Sequence, residues 1–310
     1  MVVSYREFIH PEDKAAQDQL TSIPIFLSCV KMFMKMGLEQ MMHGSNLAEK
    51  ILLGPNQLPT IYNHVPPVCE RLGIDIPEVY LEMTPFPNAY TYGDTRPFLV
   101  VTSGLIEWME EEELHAVVAH ECGHIVCRHT LYHTMASVLT KIGPKIFGPL
   151  AAVSLPVQLA LLRWVRRSEL SADRAAAAVL GNPKPVVETM IRLAGGPKAI
   201  TKDVNIDLYL KQADAYDRLQ ESSWDRLLQT WAVLTKDHPF ASVRAREIMR
   251  WSETDHFQRL AQTLREETEA GVHCPKCGAH VKANWKFCSA CGTPNPQLSA
   301  ESKPQTVQSS

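Results

Sequence analysis

Positive charge is not in excess in this 310-residue chain: Lys and Arg total 31 against 34 Asp and Glu, a formal net charge of -3. No overall field therefore exists to hold nucleic acid by phosphate neutralisation. An N-terminal apolar run is also lacking, because MVVSYREFIHPEDKAAQ meets acidic and polar residues at once. Neither a secretory leader nor an Arg-rich transit sequence is visible, which makes the cytoplasm the expected residence. Cysteine is sparse except in one place: Cys29, Cys69, Cys122 and Cys127 are scattered through apolar sequence, while the other four crowd between Cys274 and Cys291. In a reducing compartment that pattern indicates metal rather than disulfides. Internal repeats are absent. The rest is ordinary: 45% apolar and 21% charged residues, with 21 Pro and 15 Gly, exclude a fibrous or wholly disordered chain, and the length suffices for one large domain plus a small module.

Apolar residues recur at helical spacing over Asp13 to Leu20, Ile25 to Met42 and Leu58 to Leu72. From Pro77 the period becomes strand-like, through EVYLEM, NAYTYG and PFLVVTSG, with Gly93-Asp94 as the punctuation of a hairpin. A long helix should start near Glu110, whose acidic run suits the positive end of the helix dipole, and continue through His133. Helical period returns over Arg163 to Leu180, Val186 to Leu193, Ile206 to Leu219, Trp224 to Leu234 and Ala241 to Glu267. The expected fold is α+β and predominantly helical, with a small antiparallel sheet, over residues 1–267. A cysteine module follows at 272–292, and a tail of low apolar content at 293–310 is expected to be disordered.

The chemistry sits in the long helix. His120-Glu121-Cys122-Gly123-His124 is an H-E-x-x-H motif, and four-residue spacing puts both imidazoles on one helical face, where one Zn2+ can bridge them. Glu121, one residue on, can reach a metal-bound water without taking a coordination position, as a general base must. The flanks are alanine, valine and isoleucine, so the helix is bound for a core, and two His and a Glu cannot be buried there cheaply unless paired or metal-bound. The bland alternative is a pair of satisfied core histidines. A catalytic zinc needs a third protein donor. Glu169 can supply it, with Asp173 one turn on to accept the free N–H of a ligating His; the alternative is a solvated charge pair with Arg166, Arg167 and Arg174. His129 and His133 form another four-spaced pair. On a continuous helix they point nearly opposite to His120, which leaves them a surface or packing role.

HECGH followed by the block ELSAD resembles the zinc metallopeptidases of the HtpX and CAAX prenyl protease type, a gluzincin family. The likeness spans roughly residues 5 to 250 and includes PNAYTYG, PFLVVTSGL, EEEELHAVVAHE and His238-Pro239 with Arg244, which is similar to the family's HP-x4-R signature. The resemblance implies that His120, His124 and Glu169 bind zinc, that Glu121 is the base and that Asp173 supports a ligating histidine. It also implies that His238 and Arg244 approach the site, to stabilise the oxyanion or to fill the fourth metal position in a resting form. Cys122 departs from the Leu or Phe usual there. It reads either as a soft donor near the metal or, preferably, as a small buried hydrophobe.

Asn88, Ala89 and Tyr90 would lie on an edge strand along which an extended polypeptide substrate could pair, the alternative being a merely structural hairpin. Residues 146–162 carry no charge and have basic flanks. A single membrane crossing there would put donors of one zinc on opposite sides of a bilayer. The segment therefore reads as a helical excursion, buried against the protease or lying peripherally in a membrane surface. Cys274-Pro-Lys-Cys277 and Cys288-Ser-Ala-Cys291 are spaced as a zinc ribbon, which is too small to fold without its metal; a redox dithiol is the weaker reading. Lys276, Lys282, Lys286 and Trp285 form only a weak basic and aromatic surface, so the ribbon is expected to meet a protein partner rather than nucleic acid. The expected activity is a zinc-dependent endopeptidase with one catalytic and one structural Zn2+. The competing expectation is a latent or inactive protease-fold scaffold whose ribbon binds proteins.

Overall fold

The computed structural model describes residues 3–24, 26–35, 37–141, 151–218, 240–269, 272–276, 280–281 and 293–294. His238, Cys277, Cys288, Cys291, the helix expected over 224–234, the start of the 146–162 run and nearly all of the tail lie outside them.

The chain opens with helices α1 (Pro11–Thr21), α2 (Phe26–Lys35) and α3 (Leu38–Glu49), then a short strand β1 (Ile51–Leu52) and helices α4 (Pro59–Tyr62) and α5 (Val65–Leu72). The single helix expected over Ile25 to Met42 is two, because Gly37 takes a left-handed φ of 64° that no continuous helix accepts. Strands β2 (Glu78–Glu82), β3 (Ala89–Tyr92) and β4 (Phe98–Thr102) complete a four-stranded sheet in the order β1-β2-β4-β3. The expected hairpin forms between β3 and β4, which pair antiparallel. β2, however, pairs parallel to β4, so the sheet is mixed rather than wholly antiparallel. The pattern explains the placement: all five residues of β4 are buried, as a central strand requires, whereas β3 alternates buried and half-buried and takes the edge.

Beyond the sheet come α6 (Ser103–Trp108), α7 (Glu111–Val126), α8 (Thr130–Lys141), α9 (Ala151–Leu180), α10 (Lys184–Gly195), α11 (Lys198–Thr201), α12 (Ile206–Arg218), α13 (Ala241–Ser252) and α14 (Asp255–Glu269). The main core packs Val118, Ala119 and Cys122 of α7 and the Ala175 to Val179 run of α9 with Val79, Leu99 and Val101 of the sheet. A second apolar cluster joins Ala16 and Leu20 of α1 and Phe26 and Phe33 of α2 to Met135, Val157, Leu161 and Trp164. Val157 and Leu161, from the charge-free run, are thus buried against the protein itself. Among the described residues no helix is long and apolar enough to cross a membrane. At the C-terminus, β5 (Val272–His273) and β6 (His280–Val281) pair antiparallel beside a buried Cys274.

Candidate metal centre and active site

Helix α7 begins as its acidic run predicts: Glu110 is the N-cap, and it forms a reciprocal capping box with Glu113. From there the helix carries its motif into the interior. His120, Glu121 and His124 are buried, the two imidazoles toward α9, and Glu169 of α9 is 0% exposed. The approach of the two helices depends on Gly123, where a Cβ would lie 2.9 Å from the Ala172 carbonyl oxygen. That contact brings a carboxylate to the imidazole pair. The His120 and His124 Nε2 atoms are 3.2 Å apart, His120 Nε2 lies 3.5 Å from Glu169 Oε2, and His124 Nε2 lies 3.3 Å from Glu169 Oε1.

What holds each ring determines which nitrogen is left to bind. His120 Nδ1 donates to Asp173 Oδ1 at 2.9 Å. His124 Nδ1 meets His129 Nδ1 at 3.0 Å, and His129 Nε2 lies 3.1 Å from Asp13 Oδ2. A carboxylate only accepts, so a proton sits on His129 Nε2; with His129 neutral, its Nδ1 accepts from the Nδ1–H of His124, whose Nε2 keeps a lone pair. This corrects the expectation for His129 and His133. The helix does not run on to His133, because α7 stops in a Schellman turn: His129 N–H bonds to the His124 carbonyl, Arg128 N–H bonds to the Ile125 carbonyl, and Arg128 sits at a left-handed φ of 61°. The turn folds a buried His129 back onto His124. His133, half-buried, stands beside the same rings with its Nε2 2.7 Å from Ser168 Oγ.

This donor set suits zinc. Tetrahedral ligands at about 2.0–2.1 Å from the ion stand roughly 3.3 Å from one another, which matches the separations above. Two imidazole nitrogens and a carboxylate are the donors zinc takes in hydrolytic enzymes. Burial holds the pKa of His124 below its ordinary value, favouring the neutral form a ligand needs. For His120 burial acts the same way, but hydrogen bonds to Asp173 and Glu169 overcome it and raise the pKa of the metal-free ring.

Several of the other expected residues surround the donors; His238 lies outside the described residues. Glu121 is 1% exposed, and its Oε2 accepts from Thr91 Oγ1 at 2.9 Å. Thr91 did not figure in the expected site, although strand alternation puts it on the same face as Ala89. Asp173 receives both Nε and Nη2 of Arg244, at 2.8 and 2.7 Å, and Arg244 Nη1 is 2.8 Å from Glu169 Oε2. Burial opposes all of these charges. The Arg244 guanidinium nonetheless lowers the pKa of Asp173, and the two carboxylates raise that of Arg244. Glu169 and Asp173 are therefore not a solvated pair with Arg166, Arg167 and Arg174. Cys122 is the small buried hydrophobe expected, its sulfur 3.8 Å from that of Cys69 on α5. A cleft opens over His120 and Glu121, walled by Asn88 and Ala89 on one side and by Val186, Met190 and Leu193 of α10 on the other. Tyr90 lies on the opposite face of β3, where its hydroxyl donates to Glu82 Oε2.

An H-E-x-x-H helix, a carboxylate from a neighbouring helix and a cleft beside an edge strand define the zinc metallopeptidase class. The model described as "Peptidase family M48" matches residues 59–252, and that described as "zinc-ribbon domain" matches 273–295. The chain is 36% identical over 266 residues to the plastoglobule-localized metallopeptidase 48, chloroplastic, of Arabidopsis thaliana, an alignment covering 84% of this chain and 77% of that protein. It is 27% identical over 179 residues to a protease HtpX homolog of Trichormus variabilis, covering 48% of this chain and 62% of the relative. A protease HtpX homolog of Desulfatibacillum aliphaticivorans is 29% identical over 181 residues, covering 49% and 58%. The chain belongs to peptidase family M48: it is a metalloprotease, with a zinc ribbon at its C-terminal end.

Proposed function

We propose that this chain is a zinc-dependent endopeptidase in which His120, His124 and Glu169 hold the catalytic ion. The supporting observation is the convergence of two imidazole nitrogens and a carboxylate, all buried, at a cleft that His120 and Glu121 line beside the edge-strand residues Asn88 and Ala89. Bound zinc would polarise the scissile carbonyl and lower the pKa of water. Glu121, held by Thr91, takes the proton of the attacking water and passes it to the leaving amine. Asp173 orients His120, and Arg244 offsets the charge of Glu169 and Asp173. That makes Arg244 a positioning residue, while an oxyanion contact from His238 rests on the HP-x4-R likeness. The substrate is a polypeptide that adds to β3 as a further strand, with Asn88, Ala89 and Tyr90 contributing the pairing surface.

A second zinc is assigned to Cys274, Cys277, Cys288 and Cys291, on the zinc-ribbon match and their spacing. The ribbon serves to engage a protein partner. Peripheral contact with a lipid surface through the exposed side of 146–162, on which Leu159 lies, is supported by the basic flanks of that run and by the plastoglobule-localized relative.

The test combines metal analysis with cleavage of unfolded protein substrates. Wild type should carry about two zinc ions, Cys274→Ser about one. Glu121→Gln should keep both and lose turnover. Undiminished cleavage by Glu121→Gln removes its role as base; a wild type that binds zinc but cleaves nothing favours the scaffold reading.

A further inference from the structure

We infer that Asp13 and His129 are positioning residues of the metal centre, forming a relay that fixes His124 for zinc, so that the N-terminal helix α1 is part of the catalytic unit. The inference rests on the reading of His124 as a zinc ligand. Asp13 lies 46 residues before the matched segment 59–252 begins, and the H-E-x-x-H spacing gives no hint of it.

The two imidazole donors need equivalent support, and the structure gives it by different routes. His120 has a carboxylate directly on Nδ1, through Asp173. On His124 Nδ1, among the described residues, the partner is instead His129, and the carboxylate comes one imidazole later, as Asp13. Asp13 and His129 are 2% and 1% exposed, so water does not substitute for either. Asp13 Oδ2 also accepts from Ser171 Oγ at 2.5 Å, and the same hydroxyl accepts from the backbone N–H of His10 at 2.9 Å. Ser171 lies two residues from Glu169 on α9. The relay therefore ties α1, the turn after α7 and the helix carrying the carboxylate donor into one hydrogen-bonded unit.

Each link has a fixed direction. The Asp13 carboxylate can only accept, which keeps a proton on His129 Nε2; with His129 neutral, its Nδ1 accepts, which keeps the His124 proton on Nδ1 and its Nε2 lone pair toward the ion. A hydrophobe at 129 would fill space but leave His124 free to adopt the wrong tautomer or rotate. The left-handed Arg128 is what aims His129 inward, and its guanidinium lies 5.2 Å over the Tyr5 ring, a further tie to the N-terminal segment.

The experiment uses the full chain, stripped of metal and titrated with Co2+. Thiolate-to-cobalt charge transfer reports the cysteine module separately from the weaker d–d bands of a nitrogen and oxygen site. His129→Leu and Asp13→Ala should weaken the nitrogen and oxygen site about 10- to 100-fold while leaving the thiolate bands unchanged. His129→Gln, whose amide can accept from His124 and donate to Asp13, should recover most of the loss. Should the leucine variant fail to fold, nitrogen-15 spectra of the histidines in the wild-type zinc protein decide, with His129 expected to carry its proton on Nε2 alone. Equal cobalt affinity in wild type and His129→Leu, no recovery by glutamine, or a proton on His129 Nδ1 overturns the relay. Absence of d–d bands in the wild type overturns the metal site itself, so the two failures are distinct.

Discussion

The Thr91 hydroxyl donates to Glu121 Oε2 at 2.9 Å, so the edge strand beside the cleft also holds the carboxylate that must accept a proton. Replacing Thr91 by Val keeps the shape and removes the donor. A hydrogen bond to a charged group is worth about 1.5–3 kcal/mol, so Thr91→Val should lower kcat by roughly ten-fold or more. KM and zinc content should hold, and Thr91→Ser should behave as wild type. Steady-state kinetics with metal analysis checks this; a change confined to KM would mean that Thr91 serves the strand rather than the base.

Gly123 is needed for space rather than for backbone freedom. Alanine is the better helix former by about 1 kcal/mol, yet its Cβ would lie 2.9 Å from the Ala172 carbonyl oxygen and 3.1 Å from the Ala175 Cβ. Overpacking of this kind costs about 1–3 kcal/mol, and relief requires α9 to retreat, taking Glu169 with it. Gly123→Ala should therefore lower unfolding stability and weaken zinc together. A stabilised variant with unchanged metal affinity would show that the helices part without consequence.

Sequence separation divides what the chain shows from what it hides. Helical spacing is a short-range rule, and it places His120 with His124 and Glu169 with Asp173 on common faces, because each pair lies within about one turn of one helix. It failed for His129, where extending the α7 period through residue 133 points the ring away from the site. The break at Arg128 is a non-glycine residue in the left-handed region, and neither Gly nor Pro marks it. Asp13 meets His129 across 116 positions, a distance no periodicity spans. The sheet was legible as strands but not in its pairing: alternation in β3 against continuous burial in β4 carried the edge and centre assignment, and with it the parallel β2–β4 pair. Gly37 could have been read as a helix stop, since glycine is the residue that takes a positive φ without cost.

His115 supplies a pH dependence separate from the metal. Burial, with the nearby His64 and Arg71, depresses its pKa to about 4 from 6.5. The unfolded chain therefore binds this proton first as pH falls; the stability His115 contributes is complete above about pH 6.5 and is lost on acidification toward pH 4. After allowance for its partial exposure the contribution is of order 1–2 kcal/mol. Urea unfolding of metal-free protein in chelator should show a shallower loss between pH 6.5 and 4 for His115→Gln than for wild type. Parallel curves would remove His115 as a source of acid sensitivity.

Asp173 has two occupations that mutation can separate. It orients His120, and it is the bidentate partner of Arg244, whose guanidinium is itself buried. Asp173→Ala should weaken zinc about 10- to 100-fold through the first. It should also cost about 3–5 kcal/mol of metal-free stability through the second, because it strands part of a buried charge. The two effects should part in a double variant. Adding Arg244→Met to Asp173→Ala removes the stranded guanidinium but also the cation beside the buried Glu169, so metal-free stability should recover only in part. Zinc affinity should not recover, since His120 still lacks its acceptor. Urea melts in chelator and competition with a zinc chelator measure the two quantities on the same proteins. If stability and affinity rise and fall together across the set, Asp173 acts only through the fold, and its hydrogen bond to His120 carries no separate weight in holding the metal.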